Sequence, residues 1–95
     1  MVVGILTLEL RLHGNASLKG KRGILKPLLA RIRRNFNVSV AEVDAQDVWQ
    51  RSVVGAACVS PSAEYAHGLL ELVAQAVGSW RMDLEMIDYE IELIQ

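Results

Sequence analysis

The chain has one cysteine, two prolines and very few aromatic side chains. The single cysteine, Cys58, excludes an intrachain disulfide framework and a multi-cysteine zinc site. It stands within Val53–Val59, where a cysteine reads as a small core residue rather than a nucleophile. That segment is also the longest uncharged apolar run, far short of the ~18–20 residues of a membrane-spanning helix. The start Met1-Val2-Val3 carries no basic cluster and no cleavage signal, so no secretory leader is expected. His13 and His67 are the only histidines, and neither has a cysteine or second histidine at metal-ligand spacing. The expectation is a cytoplasmic protein with no membrane segment, metal or cofactor.

Apolar residues make up 52 % of the 95 positions and charged residues 22 %, a core-forming composition well away from that of disordered chains. The length suits one domain with a modest core, which an oligomer, in the simplest case a homodimer, would support.

The net charge of −1 hides an uneven layout. Of ten cations, only Arg81 lies beyond Arg51, whereas Glu64, Glu71, Asp83, Glu85, Asp88, Glu90 and Glu92 crowd the second part. Between Ser17 and Phe36 there are seven cations and no anion. Such a segment needs something negative beside it: the acidic C-terminal strand, a neighbouring chain or a polyanion.

Hydrophobic periodicity divides the chain into six elements. Leu6, Leu8, Leu10 and Leu12 alternate with Thr7, Glu9 and Arg11, which predicts a strand over residues 2–12. Ser17 is a good helix cap, and Leu25, Leu28, Leu29, Ile32 and Phe36 trace one helix face. Gly20, Gly23 and Pro27 predict an irregular first half with a kink near Gly23. Strands follow at 38–43 and 51–60, joined by the polar stretch 44–50. Ser60 and Pro61 read as the cap and first residue of a second helix, with Leu69, Leu70, Val73, Ala76, Val77 and Trp80 as its apolar stripe. Over 82–94 the alternation of Met82, Leu84 and Met86 changes phase to Ile87, Tyr89, Ile91 and Leu93, so an extra residue near Met86-Ile87 must be absorbed by a bulge or bend. The order strand–helix–strand–strand–helix–strand predicts an α+β, ferredoxin-like βαββαβ sandwich. A four-stranded antiparallel sheet would carry both helices on one face and leave the other bare.

Few residues suggest chemistry. The stretch from Gly14 to Lys21 has one residue too many for a phosphate-binding P-loop, and Arg22 stands where the magnesium-binding hydroxyl belongs. No nucleophile constellation or cofactor loop appears, so no enzymatic activity is expected. Lys19, Lys21 and Arg22 crowd the first turns of a helix, its positive end, where cations are unfavourable unless an anion joins them. Lys19, Arg22, Lys26 and Arg33 fall on one helical stripe, and Arg34 extends it. These six residues, Lys19, Lys21, Arg22, Lys26, Arg33 and Arg34, are the candidate contacts to phosphates of RNA. A solvated outer face is the plainer reading. Residues 2–12 and 51–60 contain no aromatic, which excludes base stacking on the central strands. Trp49 and Arg51 are candidate interface residues, with Trp49 folded back as a lid on the core as the alternative.

Three segments carry a resemblance. Ser17-Leu18-Lys19-x-Lys21-Arg22, then Phe36-Asn37-Val38-Ser39-Val40-Ala41-Glu42-Val43, then Asp47-x-Trp49-Gln50-Arg51 resemble the YlxP-like family, small bacterial proteins with a domain of unknown function. The resemblance implies a ferredoxin-like fold, cytoplasmic residence and no known activity. It also implies a link to the ribosome, because family members are often encoded near translation-initiation and ribosome-maturation genes. Two expectations stand side by side: an RNA- or ribosome-associated accessory protein that uses the basic helix, or a homo-oligomeric interaction module in which the bare sheet face and the edge strand 82–94 pair with a second chain and that acidic strand neutralises the neighbour's basic helix.

Overall fold

The computed structural model describes residues 1–95. The elements are β1 (Val2–Leu12), α1 (Leu18–Asn35), β2 (Ser39–Asp44), β3 (Arg51–Ser60), α2 (Ala63–Ser79) and β4 (Leu84–Ile94). The strands form one antiparallel sheet in the order β2-β3-β1-β4. The predicted ferredoxin-like α+β arrangement is the observed one, with two helices on one face and the other face open. Neither helix is long and apolar enough to cross a membrane.

The alternation in β1 sorts its side chains by face. Leu6, Leu8, Leu10 and Leu12 are all buried under the helices, while Glu9 and Arg11 lie on the open face. From α1 come Leu25, Leu28 and Ile32, and from α2 come Ala66, Leu70, Val73, Ala74 and Val77, all in one continuous core with the inward residues of the sheet. Gly4 is where β1 and α2 come closest. A methyl group there would stand 2.8 Å from Leu70 Cδ1 and 3.1 Å from Cys58 Sγ.

The phase change in β4 is a bulge. Glu9 pairs with Asp88 but Leu10 pairs with Met86, so Ile87 is the extra residue. Leu84 and Met86 before it and Ile91 and Leu93 after it therefore all face the helix layer. A second bulge, absent from the sequence pattern, places Val43 between Glu42, opposite Val54, and Asp44, opposite Val53.

Two expectations about the helices are corrected. α1 is one continuous helix from Leu18 to Asn35 despite Gly23 and Pro27. Both residues lie on its exposed side, so the proline ring projects to solvent and displaces no packing. The cap of α2 is Ser62 rather than Ser60, its hydroxyl accepting from the Tyr65 N–H at 3.2 Å. Ser60 serves the preceding turn by accepting from the Ser62 N–H at 3.0 Å.

Candidate functional site

The three segments of sequence resemblance meet at one corner, where the start of α1 packs against the loop between β2 and β3. Ser17 caps α1, its hydroxyl accepting from the Gly20 N–H at 2.9 Å. Asn15 donates its side-chain amide to the Trp49 carbonyl, and Gln50 donates back to the Asn15 carbonyl at 3.3 Å. Gly20 packs closely here: a Cβ at that position would force Asn15 Oδ1 to shift.

Lys21 lies at the centre of this corner. It sits four residues before Leu25 on the same helix face, so its side chain enters the protein instead of facing solvent. The ammonium is 2.8 Å from Glu42 Oε2 and donates to the carbonyls of Ala45 at 2.6 Å and Val48 at 2.7 Å. Three close acceptors use its three N–H bonds. Glu42 Oε2 also accepts from the Ser52 hydroxyl at 2.6 Å, and no buried side-chain polar atom is left without a partner. Ala45, in the left-handed region at φ 60°, is held there by the Lys21 bond to its carbonyl and by Asp44 Oδ1, which accepts from its N–H at 2.7 Å.

The structure thus removes Lys21 from the predicted anion-binding set. Its side chain is 3 % exposed and ties the β2–β3 loop to α1. The other five residues remain on the surface. Lys19, Arg22, Lys26 and Arg33 form the exposed row that their spacing predicts, and Arg34 lies beside it. Arg33 donates one N–H to the Val40 carbonyl at 2.9 Å, so the row borders β2, an edge strand. No carboxylate of the chain pairs with any of the five. No carboxylate of β4 pairs with them, and β4 lies at the sheet edge opposite β2. Arg31 is turned the other way, over the Trp80 ring at 4.2 Å.

The remaining two candidates separate. Trp49 lies outside the core and is 45 % exposed, so it is no lid. Its carbonyl accepts the Asn15 hydrogen bond. Arg51 lies on the open sheet face in a 2.6 Å ion pair with Glu9.

Asn15, Glu42, Ala45 and Ser52 were not singled out from the sequence. Two signals pointed to the pair at the centre of the corner. Extending the stripe Leu25, Leu28, Ile32 back by four residues reaches Lys21. In the next strand, Val40 and Glu42 share a face.

The fold and this corner define an α+β sandwich with a buried lysine–glutamate clamp under an exposed basic row. The chain matches, over residues 3–91, a family described as "Protein of unknown function (DUF503)", and it belongs to that family. It is 37 % identical over 79 residues to "Uncharacterized protein YlxP" of Bacillus subtilis (strain 168), a match covering 83 % of this chain and 86 % of that protein.

Proposed function

We propose that this protein is a non-catalytic, cytoplasmic accessory protein that binds RNA, with the ribosome as its expected setting, through the exposed row Lys19, Arg22, Lys26, Arg33 and Arg34. The carrying observation is that these five cations lie along one exposed helix surface with no carboxylate paired to them. A row of guanidinium and ammonium groups suits a phosphate backbone, and binding gains from counterion release. Lys21 contributes by holding the loop that carries Trp49 against the start of α1. With all three N–H bonds engaged, its part is structural.

The test is binding of the purified protein to ribosomal subunits and to a structured RNA at low and physiological salt. A Lys19→Glu/Arg22→Glu/Lys26→Glu variant serves as control. Saturable, salt-sensitive binding that this variant loses while still folded supports the proposal. Equal binding by the variant removes the row from it.

A second reading rests on the same unpaired row. In a homo-oligomer, β4 of a neighbouring chain would supply the carboxylates that this chain's own β4 does not. Sedimentation of wild type and variant separates the two. This reading requires an oligomer that the charge reversal dissociates.

A further inference from the structure

The free edge of β4 is the longest unpaired backbone on the sheet. β4 has 11 residues and pairs only with β1, whereas the opposite edge strand, β2, has six. Long open edges invite strand addition, and charge decides which strand is accepted.

The side chains along this edge are acidic on both sides. Asp88 and Glu90 pair in register with Glu9 and Thr7 and so share the open face with them. Glu92, opposite Ile5, continues that row. On the helix side, a groove of about 370 Å³ runs between α2 and β4, lined by Ala63, Glu64, His67, Gly68 and Leu93. Gly68 has no side chain to fill it. Glu71, one turn beyond His67, accepts from the Tyr89 hydroxyl at 3.0 Å at the same margin. Ile91 and Leu93 face the helix layer but are only half-buried, so the core is incompletely covered along this edge.

Residues directly opposite each other on adjacent strands point to the same face. If two copies paired through antiparallel β4 edges after the bulge, the open-face residues Asp88, Glu90 and Glu92 would therefore meet one another. Like charges directly opposite are destabilising, so the edge repels its own copy. A strand with lysine or arginine at its open-face positions would meet carboxylates instead. Its alternate residues, if apolar, would enter the groove and cover Ile91 and Leu93.

We propose that the β4 edge and the α2–β4 groove capture a cationic segment of another protein in extended form. The segment adds as a fifth strand, with basic and apolar residues alternating. This surface is separate from the basic row on α1, and its test is independent of RNA binding.

The probe is a labelled peptide that spans β4 and alternates lysine with valine, titrated into the full-length protein by fluorescence anisotropy. Two controls accompany it: a glutamate–valine peptide and a lysine peptide with prolines at its valine positions. The expected result is saturable binding of the lysine–valine peptide only, with slowed amide exchange confined to β4. Binding weakens on the order of tenfold in a Glu90→Lys/Glu92→Lys variant, whose exposed substitutions leave the circular dichroism unchanged. Equal binding of the proline peptide would reduce the attraction to charge alone and overturn strand addition. So would protection located elsewhere, a β4-paired dimer of the protein itself, or no binding.

Discussion

The Lys21 ammonium and the Glu42 carboxylate meet 2.8 Å apart, their side chains 3 % and 19 % exposed, in the middle of a surface otherwise rich in cations. The pair joins α1 to β2, and the lysine's other two N–H bonds hold the β2–β3 loop by its backbone. A residue that composition assigns to the basic surface is thus part of the frame beneath it.

Removing one member of a buried pair leaves the other charge uncompensated. Lys21→Met is expected to cost about 2–4 kcal/mol, at or below the usual range because Glu42 keeps some solvent contact. Urea unfolding of Lys21→Met, Glu42→Gln and the double variant measures the coupling, expected to be roughly 1–3 kcal/mol. Additive losses would show that the two do not act as a pair.

Gly20→Ala is expected to destabilise by about 1–2 kcal/mol, because the new methyl displaces Asn15 and breaks its bond to the Trp49 carbonyl. With Asn15→Ala already present that obstruction is gone, and the one close neighbour left is the Ser17 hydroxyl at 3.2 Å, which has room to give by a few tenths of an ångström. The same change should then stabilise by up to ~1 kcal/mol, since alanine is the better helix former. Thermal melts of the four proteins check for that change of sign.

Two further glycines test the packing. Gly4→Val would press on Leu70, Cys58 and Ala66 and is expected to cost about 1–3 kcal/mol. Gly23→Ala meets open space on the exposed side of α1 and is expected to stabilise by up to ~1 kcal/mol. Chemical unfolding of both variants should show opposite signs.

The hydrogen bond from Tyr89 to Glu71, together with the carboxylate's charge and slight desolvation, raises the Tyr89 pKa above the usual 10.0. Both causes from Glu71 favour the neutral phenol. The bond's contribution is complete below the unfolded tyrosine pKa and is lost as pH rises through the folded one. Ultraviolet titration should show Tyr89 ionising late, and Glu71→Gln should bring it down. Unchanged titration in that variant would contradict the contact.

Much of the fold was legible because its signals are local. Leu6, Leu8, Leu10 and Leu12 mark β1, and the phase change at Ile87 marks a bulge that the pairing of Leu10 with Met86 shows directly. The continuity of α1 was not legible. Proline and glycine propensities ignore which side of a helix faces water, and Gly23 and Pro27 both face it. Of the candidate site, the exposed row followed from helical spacing. The fate of Lys21 did not, because a lysine's charge favours the surface and the partner that draws it inward lies in another strand. The bulge at Val43 and the left-handed Ala45 depend on contacts across the corner and leave no periodic trace.

The most direct test of the account is the salt dependence of RNA binding by three proteins: wild type, Arg22→Gln/Lys26→Gln and Lys21→Met. The account predicts a log–log slope of about −0.7 to −0.9 per phosphate contacted, shallower by roughly two such units in the Arg22/Lys26 variant. In Lys21→Met, which keeps the row, the slope should be unchanged while the protein remains folded. Absence of RNA binding at low salt, or a slope that responds to Lys21 and not to the row, would contradict it.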